Sequence, residues 1–193
     1  FMPGVLAKQA KKTHILLSNP PYEAFTTAQR TRYAKEGEAV TANTKATEML
    51  LRTLSHLPLG GVFGVVMPLG ALYDKESKPV RERLRADFDL SEILEFADNL
   101  FEHSDHEAAV LIGRRKTSRT KPIVLHYRRV REQGMEAFKD RLAFSWEQEM
   151  LPSSFLESVD TILRVPELGE VWAHLSKRPI LDSVALVAQG LSH

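Results

Sequence analysis

The strongest chemical signal lies in the run His14-Ile15-Leu16-Leu17-Ser18-Asn19-Pro20-Pro21-Tyr22. An exocyclic aromatic amine is a poor nucleophile, because its lone pair is delocalised into the ring. The side-chain oxygen of Asn19 and the carbonyl of Pro20 are two acceptors for such an NH2 group. Together they fix its orientation and favour the positive charge that develops as nitrogen attacks an electrophilic methyl. The prolines hold that carbonyl outward at fixed φ. Tyr22 offers a flat face for a base, a contact worth about 1–3 kcal/mol. No ionised general base is needed. The plainer alternative is a turn that merely ends a strand, since two prolines forbid its continuation.

The elements that must position this run follow from hydrophobic patterning. Residues 13–18 predict a short strand buried on both faces, with Asn19 at its C-terminal end, where ligands of open α/β sheets bind. Residues 26–43 are polar and predict a loop or broken helix. Ala46, Met49, Leu50, Thr53, Leu54 and Leu57 share one helical face, so a helix is expected over 44–57. Further buried strands are expected at 62–67, 90–97, 108–113 and 122–130, with a helix from Pro79 to Ala86 between the first two. The short basic turn 114–121 joins the last two strands. This order predicts an α/β layer whose last strand pair is antiparallel. Residues 132–144 and 167–176 predict a mainly helical annex packed by Trp146 and Trp172.

The run resembles the Asn-Pro-Pro-Tyr motif of the amino-group DNA methyltransferases, specifically the γ-type N6-adenine enzymes. The likeness continues through Lys45-Ala46-Thr47-Glu48-Met49-Leu50-Leu51 and Leu59-Gly60-Gly61-Val62-Phe63-Gly64-Val65-Val66-Met67-Pro68, which look like the family's helix and fifth strand. Phe101, ahead of Glu107-Ala108-Ala109-Val110-Leu111-Ile112, matches the aromatic that stacks on the flipped base in relatives. More faintly, Pro179-Ile180-Leu181-Asp182-Ser183-Val184 is similar to the opening of a target-recognition domain.

The resemblance implies the C-terminal half of a Rossmann-like, S-adenosylmethionine-dependent methyltransferase sheet over residues 1–131. A helical connector (132–178) and the start of a target-recognition-like segment (179–193) would follow. It further implies methylation of adenine N6 in double-stranded DNA, within a restriction-modification system, on a base extruded from the duplex. Asn19 and Pro20 would hold the amine, Pro21 would shape the loop, and Tyr22 and Phe101 would sandwich the base. Phe25 competes with Tyr22 for stacking.

The family's glycine-rich cofactor turn lies upstream of this motif, and only eighteen residues precede Asn19. Gly60-Gly61-Val62-Phe63-Gly64 precedes a strand instead of opening a helix, the wrong context for cradling a nucleotide. The expectation is therefore a catalytic half separated from its cofactor-binding half and from its recognition domain, and inactive alone. The opening Phe1 fits that view.

Charge is uneven. Residues 86–113 hold eight acids and no Lys or Arg, whereas 108–131 hold eight bases and no acid, although the net charge is only +1. The functional expectation is a basic rim on DNA phosphates, formed by Arg30, Arg32, Lys35, Arg114, Arg115, Lys116, Arg119 and Lys121. The plainer expectation is solvated faces. His103-Ser104-Asp105-His106-Glu107 lacks metal-ligand spacing and reads as a polar loop, so no metal is expected. The absence of cysteine excludes disulfides and a cysteine nucleophile, and fits a reducing cytoplasm. No apolar run reaches the roughly 20 residues that cross a bilayer, so no membrane partner is expected. Two rivals remain at this stage: an amino-group methyltransferase acting on RNA or protein glutamine, and a non-catalytic DNA-binding module with a vestigial motif.

Overall fold

In the computed structural model, which describes residues 8–98, 107–118, 123–150 and 161–179, the apolar runs assemble into one sheet. Its strands are β1 (Ile15–Ser18), β2 (Val62–Pro68), β3 (Phe88–Phe96), β4 (Ala108–Arg115), β5 (Leu125–Val130) and β6 (Trp146–Met150). Their spatial order is β1-β2-β4-β3-β5-β6. β1, β2, β3 and β5 run parallel, β4 is inserted antiparallel between β2 and β3, and β6 lies antiparallel on β5. This is a Rossmann-like α/β sheet.

The helices follow local chemistry. α1 (Thr27–Lys35) forms where a loop or broken helix was expected, because a capping box starts it. The Thr26 hydroxyl accepts the Gln29 N–H at 3.2 Å, and the Gln29 side chain accepts the Thr26 N–H at 3.0 Å. α2 (Lys45–Leu54) is capped by Thr44 and buries Leu50 and Leu54. α3 (Lys78–Asp87) carries Pro79 in its first turn, where the missing N–H is harmless.

One sheet face packs on α2, with Ser18 Oγ 3.7 Å from Met49 Sδ and with Phe63, Val65 and Met67 buried. Gly113 is a glycine because an added Cβ would stand 2.8 Å from the Phe63 ring and from the Asp89 carbonyl. The other face is covered at its β3–β5 end, where Leu94, Phe96 and Val130 meet Met135 and Phe138 of α4 (Met135–Arg141), together with Phe144.

Several expectations are corrected. The last pair of the sheet is antiparallel, but it is β5 with β6; the fourth and fifth strands are not neighbours, because β3 pairs with both. β6 itself, within the expected helical annex, carries Trp146, which packs on Tyr127 at 6.0 Å between ring centroids. Finally, β1 is not buried on both faces. It is an outer strand, with Ile15 63% and Leu17 77% exposed, since among the described residues no element covers that end of the face.

The chain forms two compact units, Phe1–Leu163 and Arg164–His193. In the second, α5 (Gly169–Leu175) leaves Trp172 exposed, so this ring does not pack as expected.

Candidate active site

β1 delivers Asn19 to the C-terminal edge of the parallel strands, and the proline pair then turns the chain across that edge. Residues Asn19, Pro20, Pro21, Tyr22 and Glu23 line a cleft of about 550 Å³, within the usual size of small-molecule and base pockets. Pro20 is buried while Asn19 and Pro21 are exposed, so the corner is seated on the protein through Pro20. Among the described residues, no donor or acceptor engages the Asn19 side-chain amide or the Pro20 carbonyl. Asn19 and Pro20, the two residues expected to supply acceptors, thus line the same cleft. Tyr22 is half-buried, and its hydroxyl lies inside without a hydrogen-bond partner among the described residues. Burial pushes its phenol up from the ordinary value. Phe25 is buried edge-on against Tyr33, at 6.0 Å, under the Arg30 guanidinium. That packing leaves Tyr22 as the aromatic lining the cleft.

The far end of the corner hangs on the start of α2. The Lys45 N–H donates to the Glu23 carbonyl at 2.9 Å, the Phe25 N–H to the Asn43 carbonyl at 3.0 Å, and Ala24 bridges Thr44. Lys45 Nζ also pairs with the Glu23 carboxylate and holds that acid below its ordinary range. The loop before α2 is clamped in turn. Buried Glu48 accepts from the N–H groups of Thr41 (2.9 Å) and Ala42 (2.8 Å) and from Arg52 Nε (2.6 Å). Burial alone would raise the Glu48 carboxyl; these hydrogen bonds and Arg52 outweigh it and bring the value down. Glu23, Lys45, Glu48 and Arg52 were not singled out from sequence, because their partners are set by tertiary contact.

Three residues of the expected basic rim, Arg30, Arg115 and Lys116, donate to carbonyls of the protein itself. Arg30 Nη2 donates to the carbonyls of Ala42 (2.9 Å) and Asn43 (3.4 Å). Arg115 donates to the Ser55 and Leu57 carbonyls beyond α2, and Lys116 Nζ to the Arg85 and Ala86 carbonyls of α3. Each places a cation at the negative end of a helix. Arg114 has a buried Nε without a hydrogen-bond partner among the described residues. Arg32, stacked on Tyr33 at 4.8 Å, and Lys35 remain exposed on α1. Arg119, Lys121, Phe101 and the run 103–106 lie outside the described residues.

The acidic and basic runs meet each other across neighbouring parallel strands. Glu92 pairs with Arg128 at 3.0 Å, and Glu95 with Arg129 at 2.5 Å, the latter two buried. Arg129 is sandwiched between the Tyr127 and Trp146 rings, at 5.2 and 4.9 Å. Burial opposes its charge, but the Glu95 carboxylate more than offsets this and raises its value.

Among the described residues there is no group of three His, Asp or Glu able to hold a metal, and no helix long and apolar enough to cross a membrane. The glycine pair before β2 is placed away from the cleft. Gly60, at φ +76°, and Gly61 make the turn entering β2, beside His14 at the edge opposite Asn19. A Cβ on Gly61 would meet Leu57 at 2.8 Å, so that glycine serves packing.

The sheet carries an antiparallel strand inserted between parallel ones, with the Asn19–Tyr22 cleft at its C-terminal edge. The chain belongs to the N-6 DNA Methylase family, whose model matches residues 5–150. No curated protein sequence matches it. Among solved structures, the type IIG restriction endonuclease BpuSI superposes with a TM-score of 0.58 at 18% identity, over 95% of this chain and 24% of that one. A type I restriction-modification system described for complex assembly and conformational transition gives 0.55 at 15% identity, over 85% of this chain and 42% of that one. The type I methyltransferase subunit from Streptococcus thermophilus gives 0.53 at 18%, over 79% and 37%. At these identities the likeness establishes a shared fold, and the chain spans less than half the length of each of these proteins.

Proposed function

We propose that this chain is the catalytic, C-terminal part of an N6-adenine DNA methyltransferase of a restriction-modification system, working in the cytoplasm. The observation that carries this reading is the cleft lined by Asn19, Pro20 and Tyr22, in a chain of the N-6 DNA Methylase family. Asn19 Oδ1 and the Pro20 carbonyl accept the two N–H bonds of adenine N6. They thereby hold the lone pair on the path of attack and stabilise the charge that grows on nitrogen. Pro21 fixes the turn, and Tyr22 stacks on the extruded base. Phe101 is proposed as the opposing ring, since β3 and β4, which precede and follow it in sequence, meet at the same sheet edge through the Phe96–Ala108 pair.

S-adenosylmethionine is the methyl donor implied by the family. Its binding is assigned in this proposal to a cofactor-binding half joined to β1, and residues 1–193 alone are expected to be inactive. The connector (132–178) and the segment from 179 then lead toward a recognition domain. On α1, Arg32 and Lys35 are the proposed phosphate contacts, with Arg119 and Lys121 beyond the described residues. The test is an acceptor screen of the full-length enzyme with labelled S-adenosylmethionine on duplex DNA, RNA and glutamine-containing protein. Labelled N6-methyladenine in duplex DNA alone is expected. Label in RNA or protein, or salt-dependent DNA binding without transfer, would replace the proposal with one of its rivals.

A further inference from the structure

The corner that carries Asn19 and Pro20 is fixed at one end by β1, whose Ser18 is in register with Val65. The other end leaves the sheet, and the Tyr22 hydroxyl makes no hydrogen bond among the described residues that would orient the ring. What does hold it is the next residue. Glu23 is tied twice to Lys45, by its carbonyl to the Lys45 N–H at 2.9 Å and by its carboxylate to Lys45 Nζ. A backbone bond and a side-chain bond to the same lysine fix Glu23 and the peptide that joins it to Ala24, and so anchor the residue directly after Tyr22. The Lys45 side chain is only 14% exposed, whereas Glu23 is 72% exposed at the cleft. The lysine stem is therefore a fixed post, and the glutamate is the movable half.

We infer that Lys45 and Glu23 form a latch that positions the Asn19–Pro20 acceptors and the Tyr22 ring for the target base. They are positioning residues, and the inference rests on the adenine reading given above. A partly exposed ion pair adds little to global stability, so its effect is felt in geometry. A displacement of about 1 Å at the reacting groups can cost about 100-fold in rate. The depressed Glu23 carboxyl is consistent with the pair being formed at neutral pH. Lys45 has one competing role, a direct contact to a DNA phosphate, and salt dependence separates the two.

The experiment uses the full-length enzyme with Lys45→Met, Glu23→Gln, the double variant, Lys45→Arg and Asn19→Ala. Three properties are read: single-turnover methyl transfer to a DNA duplex, thermal unfolding, and the salt dependence of DNA binding. Each latch single is expected to slow transfer by about tenfold or more, the double no further than the worse single, and Lys45→Arg to recover most of the rate. Tm should stay within about 2 °C and the salt slope should not change. The latch is overturned if Glu23→Gln, a change at an exposed position that leaves folding intact, transfers at the wild-type rate. It is also overturned if the singles add in the double, or if Lys45→Met lowers the salt slope by about 0.9 while Glu23→Gln does not. Asn19→Ala separates the two levels. If it is inactive while the latch variants are normal, only the latch falls; if it too is normal, the adenine reading falls with it.

Discussion

Replacing Glu95 by Leu tests whether the two charged runs neutralise each other inside the sheet. Glu95 accepts from Arg129 Nε at 2.5 Å and from the Tyr127 hydroxyl, and all three residues are buried. Glu95→Leu keeps similar volume but leaves a guanidinium in the interior, between two aromatic rings, without that carboxylate. Removing one partner of a buried pair costs about 3–5 kcal/mol. Replacing both, as Glu95→Leu with Arg129→Met, removes the uncompensated charge and trades the pair for apolar contact, which is often close to neutral. The double variant should therefore be at least about 2 kcal/mol more stable than Glu95→Leu alone, a coupling within the range for residues in direct contact. Urea unfolding of the singles and the double, at neutral pH and constant slope, reads these values. A Glu95→Leu cost below about 1 kcal/mol, or costs that simply add in the double, would refute the buried pairing.

Further predictions follow from the same contacts. Glu48→Gln should destabilise the protein at neutral pH by about 1–3 kcal/mol, because the charged acceptor of two backbone N–H groups and Arg52 is weakened. Since the folded Glu48 value lies below the ordinary 4.5, its contribution is complete above that pH and is lost as pH falls through the folded value. The wild-type advantage over Glu48→Gln should therefore shrink in acid, and an advantage that grew there would contradict the assignment. Arg115→Met and Lys116→Met should each cost about 0.3–1 kcal/mol in unfolding, as lost helix-end contacts. The salt slope of DNA binding by the full-length enzyme should not move, whereas a fall of about 0.9 per residue would make them phosphate contacts.

How much was legible in the sequence depended on whether the signal was local. Asn19 to Tyr22 are contiguous, and their chemistry needs no distant partner to be recognised. β2 and α2 were legible because Val62 to Met67 and the Met49, Leu50, Leu54 face are strongly apolar. β1 has the same apolar look, yet burial is a property of what lies over a strand, and Ile15 and Leu17 are bare. The placing of β3 between β4 and β5 is a non-local pairing that short connections misrepresent. β6 was hidden because Trp146-Glu147-Gln148-Glu149-Met150 is mostly polar and exposed. The charge runs were visible, but the pairing of Glu95 with Arg129 was not, because the two meet across 34 residues. Lys45 and Glu23 were missed for the same reason, being 22 residues apart.

The most direct test of the central claim is the single-turnover rate of Asn19→Ala in the full-length enzyme, measured beside its DNA affinity. One lost acceptor for the developing charge should slow methyl transfer by about 100-fold or more, with DNA affinity nearly unchanged. Near-normal turnover would contradict the account, because the amine would then be held by something other than this corner.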